Sequence, residues 1–157
     1  MDRFARLEEI DLDRLKADGV RALLLDADNT LGLWQDPAPS QGALRLVRAA
    51  KQAGFSLIIV SNAGAERLQP LSKALDIPFM PRCGKPLPFG LLRAARALGL
   101  SPRRCAMVGD QLLTDMPAAF LCGARRVLVD PLDTSREFGG TRINRRIERL
   151  LKRLFRP

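Results

Sequence analysis

The stretch Arg21 to Leu31, RALLLDADNTL, decides how the rest of the chain is read. Ala22 to Leu25 form an unbroken apolar run that stops at Asp26-Ala27-Asp28-Asn29-Thr30. Such a run, ended by polar residues, is the pattern of a strand buried on both faces. Alternation along that strand turns Asp26 and Asp28 the same way at its end. Two crowded carboxylates repel, so the pair persists with a cation or a shared proton. A surface turn is the plain alternative, because Asp and Asn favour turns. The remainder of the sequence has to choose between them.

Outward from this stretch one rhythm recurs. Residues 2 to 19 mix acidic and basic groups around Phe4, Leu7, Ile10, Leu12 and Leu15, predicting a helical lead-in closed by Gly19. Asn29 to Pro39 is turn-rich and carries the single Trp34. Ser40 caps a helix to about Ala53, and Gly54 stops it. Phe55 to Val60 reads as the second strand, ending in Ser61-Asn62-Ala63-Gly64. A helix over about 65–75, an extended piece at Ile77 to Met80 and an irregular loop with Gly84-Lys85-Pro86 follow. Next come a helix over about 88–98, a strand from Cys105 to Val108 ending in Gly109-Asp110, a helix from Thr114 to Gly123, and a strand from Arg126 to Val129. Helix, glycine, strand in repetition predicts a parallel sheet with helices on both faces, an α/β, Rossmann-like single domain.

Composition sets limits on the chemistry. At 157 residues the chain fits one domain, able to bury ~70% of its unfolded surface. The first twenty residues are densely charged, no signal peptide is visible, and no stretch approaches a membrane span. Cys83, Cys105 and Cys122 form no CxxC pair, and a reducing, cytoplasmic setting is expected. With neither His nor Tyr in the chain, Ser-His-Asp triads, HExxH zinc sites and all other histidine-based mechanisms are excluded. Carboxylates, lysine, hydroxyls, backbone amides or a metal must do any catalysis.

Parallel strands put their C-terminal ends on one edge, where open α/β folds bind ligands. Asp26, Ser61 and Asp110 end strands here, and Lys85 follows a short third one. Their meeting on one edge is hard to assign to solvated loops.

At this point a family resemblance enters. Asp26-Ala27-Asp28-Asn29-Thr30 resembles the DxDxT signature of the haloacid dehalogenase (HAD) superfamily of phosphohydrolases. Ser61, Lys85-Pro86 and Gly109-Asp110-Gln111-Leu112-Leu113-Thr114-Asp115 resemble its later motifs, in order, within about residues 20–130. DADNTL with Trp34, VSN, GKP and GDQLLTD resemble the capless subclass IIIA, YqeG-like branch, which is similar to phosphatidylglycerophosphate phosphatases. The resemblance implies that Asp26 is the nucleophile of an aspartyl phosphate and Asp28 the acid and base. It implies Mg²⁺ held by Asp26, the backbone carbonyl of Asp28, and Asp110. Ser61 and the Asn62 amide would hold phosphate oxygens, and Lys85 would neutralise charge on the transferring group and on Asp26. Asp115 would orient metal-bound water, and Thr30 would brace the loop.

Plainer roles stay open for several of these residues. Ser61 could cap the next helix, Lys85 could be a solvated loop lysine, and Asp115 could be a helix N-terminal acid. Cys83 reads as a bystander. Trp34 is open between gating the leaving group and packing in the core.

Substrate size follows from spacing. Asp26 to Ser61 leaves 34 residues and Ser61 to Lys85 leaves 23, with room for a flap, helices and a short strand but no cap domain. An open site suits a bulky phosphoester; a small soluble phosphoester would need a lid from a neighbouring subunit. The single domain, residues 1–157, divides into a lead-in at 1–19, a catalytic core at 20–130 and a basic tail at 136–157. Net charge is +9, and from Arg136 to Arg156 eight basic residues face two acidic ones, a net of +6. In residues 141–157, Ile143, Ile147, Leu150, Leu151 and Leu154 fall on one helical stripe flanked by arginines. A basic amphipathic helix can lie on an anionic membrane; docking on the sheet or a sister subunit is the alternative. Together with the resemblance, this makes an anionic lipid, phosphatidylglycerophosphate, the leading substrate, met at the inner face of the membrane. A phosphoacceptor signalling module would place its acceptor Asp on a later strand. Nucleic-acid binding is disfavoured by an aromatic content of 5% with no basic stretch among stacking rings.

Overall fold

Six strands and five helices alternate along the chain, with residues 1–34 and 36–133 described by the computed structural model. In order they are β1 (Asp2–Phe4), α1 (Leu12–Ala17), β2 (Ala22–Leu25), α2 (Gln41–Gln52), β3 (Ser56–Val60), α3 (Ala65–Leu75), β4 (Phe79–Met80), α4 (Phe89–Ala97), β5 (Cys105–Gly109), α5 (Asp115–Cys122) and β6 (Arg125–Val129). The strands form one sheet in the order β1-β6-β5-β2-β3-β4, and every neighbouring pair is parallel. The α/β Rossmann-like architecture is therefore the one the helix–glycine–strand rhythm predicts. The tail expected at 136–157, with its amphipathic helix, lies outside the described residues.

Strand alternation sorts the core into two layers. Leu23, Leu25, Leu57, Ile59, Val108 and Val127 meet Leu46 and Val47 of α2, Leu68 and Leu71 of α3, and Leu15 of α1 on one face. Leu24, Ile58, Val60, Met107 and Leu128 meet Leu91 and Ala94 of α4 and Met116 and Ala119 of α5 on the other. All four residues of β2 are buried because helices cover both faces, which is why its sequence is a solid apolar run rather than an alternating one.

Several boundaries have visible causes. The Ser40 hydroxyl accepts the Ala43 N–H at 3.0 Å and starts α2. Gly123, in the left-handed region at φ 83°, ends α5 where an L side chain would be strained.

The lead-in corrects the expectation of a helix over residues 2–19. Its first residues are strand β1, paired with β6 through Asp2–Val127, Arg3–Leu128 and Phe4–Val129. A short 3-10 turn at Leu7–Glu9 and the six-residue α1 follow. Arg125 donates to Asp2 at 2.8 Å and pairs with Asp18 at 2.7 Å, and Arg3 donates to Asp130 at 3.0 Å. Three residues carry no periodicity of their own, so a partner more than a hundred positions away determines their structure. No helix among the described residues is long and apolar enough to cross a membrane.

The topology fixes where chemistry can occur. From β2 the chain winds through β3 to β4 with α2 and α3 on one face. It then returns to β5 on the far side of β2 and continues to β6 with α4 and α5 on the other face. The direction reverses between β2 and β5, and the crevice beyond the strand ends at such a switch point is where open sheets bind ligands.

Candidate active site

Asp26 leaves the end of β2 and Asp110 the end of β5, so the switch point brings together two carboxylates 84 positions apart in sequence. Asp115, the first residue of α5, joins them. One oxygen from each of Asp26, Asp110 and Asp115 lies within 4.8 Å of the others, and all three residues are buried. Lys85 reaches into this cluster from the loop before α4. Its Nζ donates to Asp26 Oδ1 at 2.5 Å, to Asp115 Oδ1 at 2.6 Å and to the Val60 carbonyl at 3.2 Å. It is 7% exposed, which excludes the solvated-loop reading.

The electrostatics follow from that burial. Burial pushes the Asp26 carboxyl up to about 6; Lys85 opposes the shift, while Asp110 and, more weakly, Asp28 reinforce it. Asp115 is likewise pushed up to about 6, by burial and by Asp26, against the pull of Lys85. Burial alone would lower the Lys85 value, but Asp115 and Asp26 override it and hold the ammonium charged. Lys85 is the sole buried cation facing three buried carboxylates among the described residues. A hard divalent ion fits this excess of oxygen donors and negative charge.

Asp28 behaves differently from the expectation that it crowds Asp26. The strand ends at Leu25, so alternation no longer governs the loop. The Asp28 carboxylate instead accepts Arg67 Nη2 at 2.6 Å, outside the buried cluster. The main carboxylate crowding Asp26 is thus Asp110 rather than Asp28. Arg67 also donates to the Leu33 carbonyl at 3.1 Å and the Asp36 carbonyl at 3.0 Å, tying the loop after Asp28 to α3. Sequence reasoning passed over Arg67, although a cation in the first turn of a helix opposes the dipole and asks for an anionic partner.

The remaining expected residues gather on the same edge. Thr30 Oγ1 donates to Asp110 Oδ1 at 3.1 Å, a brace between the first and last motifs. Ser61 is buried, and its hydroxyl accepts the Ala63 N–H at 3.1 Å; Gly64, not Ser61, is the N-cap of α3. The Asn62 side chain clamps the lysine loop, accepting the Lys85 N–H at 2.8 Å and donating to the Lys85 carbonyl at 2.9 Å. Asp115 accepts the Gln111 N–H at 3.1 Å, so it is both a helix N-terminal acid and a partner of Lys85. A Cβ at Gly109 would overlap the Asp115 carboxylate, which accounts for the glycine at the end of β5. A Cβ at Gly90 would likewise overlap the Cys83 backbone and lift α4 off the lysine loop. Cys83 is buried, with its thiol pushed up by burial, and Trp34 is half-buried.

An acidic, lysine-braced crevice at the switch point of a parallel sheet defines a class. Residues 1–123 match the family described as haloacid dehalogenase-like hydrolase, and the chain belongs to that family of enzymes. Over 149 residues it is 34% identical to a Bacillus subtilis (strain 168) protein named "Probable phosphatase YqeG", with 94% of this chain and 86% of that one covered. Over 154 residues it is 31% identical to the chloroplastic phosphatidylglycerophosphate phosphatase 1 of Chlamydomonas reinhardtii, covering 90% of this chain and 56% of that protein's length. Its fold is shared with a HAD family hydrolase from Deinococcus radiodurans R1 solved with phosphate and sodium, at TM-score 0.62 and 17% identity over 87% of this chain and 96% of that one. Rhodobacter sphaeroides CbbY in complex with phosphate gives TM-score 0.60 and 18% identity over 76% and 90%.

Proposed function

We propose that the chain is a Mg²⁺-dependent phosphomonoester hydrolase working through an aspartyl phosphate on Asp26, with phosphatidylglycerophosphate as leading substrate. The observation that carries this reading is the Asp26 carboxylate at the switch point, with one oxygen held by Lys85 at 2.5 Å and Asp110 and Asp115 beside it.

The other Asp26 oxygen attacks phosphorus, forming the acyl phosphate as the bond to the leaving oxygen breaks. Asp28, held by Arg67 at the loop, gives its proton to that oxygen, then takes one from the water that hydrolyses the acyl phosphate and restores Asp26. Ser61 and the Asn62 amide hold the non-bridging oxygens, and Lys85 offsets their charge. Asp26, Asp110 and the Asp28 carbonyl would hold Mg²⁺, which when bound supplies charge neutralisation and polarisation of the phosphoryl group. Asp115 keeps Lys85 charged and in place.

The lipid substrate is supported by the relative from Chlamydomonas reinhardtii and by what lies over the site. Between Asp28 and Ser61 there are a loop, α2 and β3, and between Ser61 and Lys85 there are α3 and β4. An open crevice of this kind accepts a bulky phosphoester without a closing domain. The basic residues 141–157 would add contact with an anionic membrane; flotation with vesicles should weaken in a chain ending at Phe138. A phosphate-release screen with lipid substrates in mixed micelles, beside soluble nucleotide and sugar phosphates, tests the substrate. Turnover of the lipid, lost in Asp26→Asn, is the expected result; preference for a soluble ester would transfer the lid to a neighbouring subunit.

A further inference from the structure

The two helical layers differ in surface chemistry. Between Asp76 and Asp130 the only acids are Asp110 and Asp115, and both are buried in the site. The same stretch exposes Arg82, Arg93, Arg96, Arg103 and Arg104, none of which forms a salt bridge among the described residues. On the opposite layer Arg45 pairs with Glu8 and Lys51 with Asp76. Five of the seven exposed large apolar side chains among the described residues are Leu87, Phe89, Leu92, Phe120 and Leu121, all of the α4–α5 layer.

These groups are interleaved. Phe89, Leu92, Arg93 and Arg96 fall at i, i+3, i+4 and i+7, one outward stripe of α4. Helix α5 packs beside α4 and carries Phe120, which like Phe89 is 64% exposed. The Arg126 guanidinium lies 5.1 Å from the Phe120 ring centroid. A groove of about 340 Å³ lined by Leu92, Arg96, Gly99, Leu100 and Pro102 continues the surface. In sequence the exposed apolar residues of this face start at Leu87, two residues from the site lysine.

We propose that the α4–α5 face docks on an anionic lipid surface, with its aromatic and leucine side chains in the acyl boundary and its arginines among the headgroups. Apolar groups set among unpaired cations suit that boundary, where one medium takes both. A second copy of the chain fits poorly, because a two-fold contact would set the same arginines against one another. The proposal rests on the lipid reading of the site for its purpose, and its test does not depend on turnover.

The test is co-sedimentation of the full chain with vesicles of equimolar phosphatidylcholine and phosphatidylglycerol, and with phosphatidylcholine alone. Arg93→Glu/Arg96→Glu and Phe89→Ser/Phe120→Ser are compared with the unaltered chain, residues 134–157 being present in all. Binding to the anionic vesicles alone is expected, falling at least about tenfold in each double variant. Aryl phosphate turnover should be unchanged in both, since none of the four residues belongs to the site. Equal binding to both vesicle types, or variants that sediment like the unaltered chain, would overturn the proposal. So would variants that alter oligomer size while vesicle binding is kept. Absence of aryl phosphate turnover in the unaltered chain would count instead against the phosphatase reading.

Discussion

The same pairing of cation with aspartate occurs at two places in this molecule, with opposite consequences. At the outer edge Arg3 meets Asp130 and Arg125 meets Asp2, in the case of Arg3 and Asp130 with both side chains about half exposed. At the switch point Lys85 meets Asp26 and Asp115 with none of the three side chains more than 5% exposed. Water screens the Arg3–Asp130 pair, which is worth at most about 1 kcal/mol, and both pairs serve mainly to hold the register of β1. Removal from water makes the second set expensive to assemble, and its charges act at full strength on whatever enters. The edge uses ion pairs to finish a sheet; the site uses them to keep charge where burial would remove it.

The largest break in this comparison should come from Asp26→Asn, which keeps the shape and removes the proposed nucleophile. Phosphate release is expected to fall about 10⁴-fold or more, read in a steady-state assay on any substrate that turns over. Lys85→Met should lower kcat by about 10²–10³-fold, as loss of a donor to developing charge does. It should also cost about 3–5 kcal/mol in chemical denaturation without metal, because three buried carboxylates lose their cation. An unchanged denaturation midpoint would show that the cluster does not need Lys85 for folding. Arg67→Ala should reduce turnover about tenfold to a hundredfold by releasing Asp28. The loss should be greater for alkyl than for nitrophenyl phosphates, which leave without a proton donor.

Acidity should separate the two regions. Asp26 and Asp115 titrate near 6 when folded, above the 3.8 of an unperturbed carboxyl. The folded site therefore binds more protons than the unfolded chain between those values, and metal-free stability should decline as pH rises through about 4 to 6. Asp2 runs the other way: hydrogen bonding from Arg125 holds it below the usual range. Its contribution is present above about 4 and is lost as pH falls through its lowered value. Thermal unfolding in EDTA across pH 3 to 7 reads both, and added Mg²⁺ should abolish the decline towards neutrality. The smallest effect is expected from Arg3→Ala, less than about 1 kcal/mol with turnover unchanged.

What could be read in advance tracks how local its cause is. Helix α2, with its Ser40 cap, and α5, with Gly123 after it, contain their own signals, and β2 announces its double burial in four consecutive apolar residues. Asp26, Ser61, Lys85 and Asp110 were visible because parallel topology alone collects strand ends on one edge. Strand β1 was not, since its ladder is supplied by β6 from the far end of the described chain. Nor were Arg67 against Asp28, Asn62 around Lys85, or Asp115 against Lys85. Those pairings depend on how a helix start and two loops are turned in space, and no periodicity encodes that.

The first strand has a final consequence for solubility. Without β1, the five-residue β6 would offer an unpaired ladder of N–H and C=O groups to any passing chain. At the other margin β4 has only two residues, too few to template much pairing. Trimming the amino terminus through Ala5 should therefore leave the acidic crevice assembled while turning a paired sheet edge into a nucleus for aggregation.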